Sequence, residues 1–135
     1  MKQITRGAFL TTAISLTGGA IATAMPLQST VDKKQLVHHV FFWLKNPDSI
    51  IDRDKLVEGI KSLEKIESIR RLHIGIPAST EKRDVVDNSW QVSEIMFFDD
   101  EAGQKIYQEH PVHQAFVKNY SHLWDKVIVY DVAEV

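Results

Sequence analysis

From Leu36 to Lys45 the chain reads Leu-Val-His-His-Val-Phe-Phe-Trp-Leu-Lys before the turn signal Asn46-Pro47-Asp48. This β-branched and aromatic run predicts a strand. Successive side chains alternate across a strand, so Leu36, His38, Val40, Phe42 and Leu44 share one face and Val37, His39, Phe41 and Trp43 the other. Both sets are largely apolar, the pattern of a strand covered on both sides. Leu56, Val57, Ile60 and Leu63 then follow helical spacing, with Asp52 and Asp54 near the start, where the helix dipole favours negative charge. They predict a helix over residues 50–67.

Ile69–Ile76, ended by Gly75 and Pro77, predicts a second strand, and Ala78–Ser89 a polar surface loop. Trp90–Phe98 predicts a third strand, with Trp90, Val92, Glu94, Met96 and Phe98 on one face and Gln91, Ser93, Ile95 and Phe97 on the other. Asp99 or Asp100 can cap a further helical region whose inner side is marked by Ala102, Ile106 and Tyr107, until His110-Pro111 interrupts it. Pro111 suits the first position of a new helical run, where its missing N–H costs nothing. Val112, Ala115, Phe116 and Tyr120 carry that run to Trp124, and Lys126–Val132 alternates as a last strand.

The order β-α-β-β-α-β is the ferredoxin-like α+β arrangement, a four-stranded antiparallel sheet with its helices on one face. The apolar residues on the opposite face therefore predict a partner sheet, most simply from a second copy of the chain. The expected assembly is a homodimer through the open sheet face.

Residues 1–24 have a different character. Lys2 and Arg6 form a short basic start, Ala8–Ala22 are apolar or small, and Ala22-Thr23-Ala24 fits a small-x-small cleavage site. The segment reads as an export signal and the protein as periplasmic or secreted. Thr11, Thr12, Ser15, Thr17, Gly18 and Gly19 make it too polar for a spanning helix, so no stable membrane span is expected once it is removed. Arg6-Gly7-Ala8-Phe9-Leu10 resembles a twin-arginine signal with Gly7 in place of the second arginine, which leaves the export route open. Residues 25–35 read as a flexible linker, and 36–135 as the single folded domain.

Sixteen basic against eighteen acidic residues give a net charge of −2, and the basic residues stand beside acidic neighbours. Nucleic acid is not an expected partner, because duplex binding needs clustered Lys and Arg. The absence of cysteine removes disulfides, thiolate nucleophiles and Cys-type metal sites. No glycine-rich phosphate loop follows a strand, so a nucleotide cofactor has no support and none is expected.

The six histidines (His38, His39, His73, His110, His113 and His122) are the notable chemistry, since imidazole takes and gives protons near neutral pH. Their spacing lacks the i, i+4 pair with an intervening glutamate of a metalloprotease helix, so no metal site is expected. His38 and His39 must point to opposite faces. His39 is either a packed histidine or a site residue facing Tyr107, His110 and His113, if the second helical region packs on its face. Asp131, among apolar neighbours in the last strand, needs a partner such as an imidazole N–H, or else sits in water at the strand end. Phe41, Trp43, Phe97 and Phe116 read as core or as the lining of an apolar pocket.

Val37-His38-His39-Val40, Phe97-Phe98-Asp99-Asp100, the run Tyr107-Gln108-Glu109-His110-Pro111-Val112-His113-Gln114-Ala115-Phe116 and the closing Val129-Tyr130-Asp131 together resemble the stress-responsive A/B barrel (Dabb) family. The resemblance spans residues 36–133, with the Tyr-x-x-His-Pro-x-His-x-x-Phe run its most specific part. It implies a dimeric α+β barrel in which two ferredoxin-like sheets close face to face. Plant polyketide cyclases of that family work without a cofactor, and the resemblance would make His113 the general base, Asp131 the group fixing its tautomer, Tyr107 the donor to an enolate oxygen and His39 a positioning residue. His110, Gln91, Phe41, Trp43, Phe97 and Phe116 would contact the ligand. Gln91 stands where those cyclases carry a further histidine, and glutamine cannot transfer a proton at neutral pH. Three readings stay open: a dimer binding a small, largely apolar molecule, a cofactor-free cyclase, lyase or isomerase, and a structural or stress-protective dimer.

Overall fold

The computed structural model describes residues 34–135 together with Gly18 and Gly19. Nearly all of the expected export signal and of the expected linker lies outside the described residues. Four strands, β1 (Leu36–Leu44), β2 (Arg71–Gly75), β3 (Val92–Phe98) and β4 (Trp124–Ala133), form one antiparallel sheet in the order β2-β3-β1-β4. Helices α1 (Ile50–Lys61), α2 (Glu101–Glu109) and α3 (Pro111–Tyr120) complete the ferredoxin-like order, the second helical region being two helices.

Local chemistry sets the helix ends. Ser49 caps α1, its Oγ accepting from the Asp52 N–H at 3.1 Å, and Asp100 caps α2, its Oδ1 accepting from the Gly103 N–H at 2.9 Å. Pro111 disfavours helical backbone at the residue before it, and His110 is extended at φ −67°, ψ 138°. The chain breaks there and restarts with proline in the first turn of α3. The helix expected over 50–67 is shorter. It ends at Lys61 and tightens into a 3₁₀ turn, Ser62–Lys65, with the Ser62 hydroxyl donating to the Gly59 carbonyl at 2.6 Å. Trp124, expected at the end of the last helix, instead opens β4 after a 3₁₀ turn and pairs with Leu44 across a bulge.

The core lies between the sheet and the helices. Leu56, Ile60, Leu63 and Ile66 are essentially inaccessible and meet Leu36, Val40, Phe42, Leu44, Val92, Met96 and Phe98 from the sheet. Full burial of such a side chain contributes about 1.5–3 kcal/mol. Helices α1 and α3 pack closely at Gly59, where a Cβ would stand 2.7 Å from the Tyr120 ring. The opposite face of the sheet has no covering layer among the described residues. Val37, Phe41, Trp43, Ile95, Phe97 and Ile128 are half-buried there, and Tyr130 and Val132 exposed.

Candidate functional site

Antiparallel register places His38 opposite Met96 on one side and Asp131 on the other, with all three on the helix-covered face. His38 is buried, and its Nδ1 lies 2.5 Å from Asp131 Oδ1. A carboxylate only accepts, so this contact puts a proton on Nδ1 and leaves Nε2 as the ring nitrogen not engaged by Asp131.

Helix α2 brings Tyr107 over the same face, its ring edge-on to His38 at a centroid distance of 5.5 Å. In one continuous helix Tyr107 and His113 would stand about 120° apart around the axis. The break at His110-Pro111 instead brings their rings to 4.6 Å. His113 Nδ1 lies 3.1 Å from the Gln108 carbonyl, which can only accept, so Nδ1 donates and Nε2 keeps its lone pair.

These groups edge a cavity of about 340 Å³ between the sheet and α3. Its wall is mostly apolar, with Val40, Phe42, Phe116, Trp124, Val127 and Val129 beside His38, Glu94, Tyr107 and His113. Burial holds His113 below the usual imidazole range, opposed by its bond to Gln108 and helped by nearby His38, so it is a neutral base at pH 7. Burial, with Glu94 and Asp131 adding to it, pushes the Tyr107 phenol far up, so it remains an O–H donor. Glu94 is 2% exposed, and burial pushes its carboxyl up to about 8. A neutral base and a neutral donor thus share one apolar cavity, the combination needed to take a proton from carbon while stabilising the oxygen that gains charge.

A family model for the stress responsive A/B barrel domain matches residues 36–134. The chain belongs to the Dabb family. Among solved structures, a Dabb family protein with a ferredoxin-like fold from Mesorhizobium loti is 23% identical, with a TM-score of 0.62 over 76% of this chain and 98% of that one. A dimeric ferredoxin-like protein of unknown function from Thermobifida fusca is 15% identical, with a TM-score of 0.61 over 74% and 91%. The hydroxynitrile lyase from Passiflora edulis is 18% identical, with a TM-score of 0.63 over 75% and 94%. At such identities the likeness establishes the fold alone. No curated protein matches the chain.

Within this Dabb domain, the residues singled out from sequence separate into two groups. Tyr107, His113 and Phe116 line the cavity, and Asp131 stands behind its His38 wall. His39 does not join them. It lies on the open face, its ring 4.2 Å from that of Phe41, because the helices cover the face of its neighbour His38. Asp131 orients His38 and not His113, whose tautomer is set by the Gln108 carbonyl.

Phe41, Trp43 and Phe97 also face away from the cavity. The first two edge a shallow aromatic hollow with Trp90, Lys126, Ile128 and Tyr130, and Phe97 lies beneath the Arg71 guanidinium. Trp90, expected on the face of Val92, precedes β3 and turns to Phe41 instead, with a ring separation of 5.1 Å. His110 caps α3, its Nδ1 accepting from the Val112 N–H at 3.0 Å. Gln91 ties the sheet end to the preceding loop, accepting from the Leu44 N–H at 2.8 Å and donating to the Ser89 carbonyl at 2.9 Å. Its polar atoms are thus engaged by backbone.

Two ionisable cavity residues, His38 and Glu94, escaped selection by sequence. His38 was hidden by the choice between adjacent histidines. Glu94 carried a readable signal, a charge at a core-parity position between Val92 and Met96, where only a strong local reason retains an acid.

Proposed function

We propose that this protein is an exported homodimer whose protomers each take a small, largely apolar molecule into the cavity beneath α3 and move a proton on it without a cofactor. The observation that carries the reading is the placement of His38, Tyr107 and His113 on one apolar cavity, with each imidazole's Nδ1 engaged by an acceptor. His113 Nε2 takes a proton from the carbon next to a carbonyl, Tyr107 donates to the resulting enolate oxygen, and His38, oriented by Asp131, relays the proton or positions the substrate. Aldol-type cyclisation, β-elimination and keto–enol isomerisation all begin with such a step.

The uncovered apolar sheet face supports pairing of two copies, as do similar solved structures described as dimeric, from Thermobifida fusca, Bacteroides fragilis and Jannaschia. The lyase chemistry named for the Passiflora edulis protein is compatible with the same set of groups.

The test is exchange of the methyl protons of acetophenone in D₂O, followed by NMR, with binding measured in parallel. The wild-type dimer is expected to accelerate exchange over buffer, and His113→Ala to lose about 100-fold or more of that acceleration while still binding the ketone. Binding with no acceleration in the wild type reduces the cavity to a binding site. Neither binding nor exchange, with only the fold weakened in His113→Ala, leaves a structural dimer.

A further inference from the structure

Glu94 has no part in the proton transfer above, yet it is the most deeply buried acid among the described residues. Its register neighbours are Val40 on β1 and Ile74 on β2, both apolar, so no cation or amide answers it from the adjacent strands. Oε2 is buried without a hydrogen-bond partner among the described residues, and the residue forms part of the cavity wall. A buried polar atom without a partner is destabilising, and a ligand that pairs with it relieves that cost. The ionisable groups around it are His38 from β1, Tyr107 from α2, His113 from α3 and, behind His38, Asp131 from β4. Helix α1 buries Leu56, Gly59 and Ile60, and β2 turns Leu72 and Ile74 to this side. Among the described residues, no Lys or Arg lines this cavity.

We infer that Glu94 is the cavity's ligand anchor and specificity determinant, a protonated carboxylic acid that donates a hydrogen bond to an uncharged oxygen of the ligand, so that ketones, aldehydes and esters enter and carboxylates do not. This rests on the reading of the cavity as a ligand site. The chemistry is consistent from two directions. A neutral acid is a strong donor toward a carbonyl oxygen, and an anionic ligand would lose its hydration in a mostly apolar cavity that no Lys or Arg among the described residues lines. Burial pushes Glu94 up to about 8, which supplies the donor proton at pH 7. His113 lies below its usual range and Tyr107 far above its own, so neither titrates between pH 7 and 9.

The test uses acetophenone and benzoate, which share an apolar body, and the full chain as wild type, Glu94→Gln and Glu94→Leu, with affinity measured by calorimetry from pH 6.5 to 9. Gln keeps an N–H donor and Leu keeps only volume. Wild type is expected to bind acetophenone at least tenfold more tightly than benzoate at pH 6.5, and to weaken as pH rises past 8. Glu94→Gln should bind the ketone within about threefold of wild type and lose the pH dependence. Glu94→Leu should lose about tenfold at pH 6.5, the size of one buried hydrogen bond. Infrared difference spectra of wild type minus Glu94→Gln should show the carbonyl band of a protonated carboxyl at pH 6.5 and its loss at pH 9.

Equal ketone affinity in wild type and Glu94→Leu, with the same pH profile, overturns the assignment of Glu94 and leaves the cavity standing as a ligand site. Binding of neither probe by the wild type at any pH overturns the ligand-site reading itself, and this inference with it.

Discussion

His38 and His39 are consecutive residues of one strand, and the fold gives them opposite circumstances. His38 is buried beneath the helices, with a carboxylate on one ring nitrogen and a cavity beside it. His39 lies on the uncovered face among aromatic rings, its Nε2 buried without a partner, and desolvation followed by repulsion from His73 and His38 holds it below the usual imidazole range. The helix face collects acids, a phenol and imidazoles around a cavity. The open face collects Phe41, Trp43, Trp90 and Tyr130, a surface suited to a partner sheet. Residue type alone does not assign a role here, and the parity of the strand does.

The strongest way to break this contrast is a charge at the centre of the open face. Ile95→Asp, placed between His39 and His73 in the register, is expected to raise the dimer dissociation constant by about 100-fold or more while leaving the helix-face core intact. Sedimentation velocity and near-ultraviolet circular dichroism read the two properties separately.

The next largest effect falls on the other face. Glu94 is pushed up to about 8 from 4.5, so between those values the folded protein keeps a proton that the unfolded chain has released, and stability falls as pH rises through that window. Glu94→Leu should remove this dependence and raise the unfolding free energy at pH 7 by roughly 3 kcal/mol, at 1.36 kcal/mol per tenfold in proton concentration. Urea titrations at pH 5 and pH 8 check both statements.

Gly59→Ala tests the packing that supports the cavity roof. Alanine favours helix by about 1 kcal/mol, but its methyl would meet the Tyr120 ring at 2.7 Å, so a net loss of about 1–2 kcal/mol is expected from thermal unfolding.

The smallest effect sharpens the histidine comparison. Because His39 lies below its unfolded value, the unfolded chain binds a proton first as pH falls through 6.5, and the same proton opposes burial in a dimer interface. Dimer affinity should fall about threefold between pH 7.5 and 5.5 in the wild type and less in His39→Gln, as sedimentation equilibrium would show.

Much of this was legible in the sequence. Alternation in Leu36–Leu44, the helical spacing of Leu56, Ile60 and Leu63, and the His110-Pro111 break lead to the ferredoxin-like order without coordinates. The cavity was half legible, because Tyr107, His113 and Phe116 flank that break and converge on it. What stayed hidden was which face the helices cover. Both faces of β1 are apolar enough to be buried, so His39, Phe41, Trp43 and Phe97 were read into the wrong compartment, and Asp131 was paired with the wrong imidazole. The register between β1 and β4 decides that pairing, and it is a property of the assembled sheet. Boundaries shifted for local reasons, as where Trp124 opens β4 after a single 3₁₀ turn.

In the proposed reading the two faces of one sheet divide the work, ligand chemistry beneath the helices and assembly on the other side. Nitrogen-15 NMR of the histidine rings during titration of the full chain with acetophenone tests it most directly. His38 and His113 resonances are expected to move with the ketone while those of His39 and His73 stay in place. Movement of His39 and His73 with His38 and His113 unchanged, or no movement in any of the four, would contradict it.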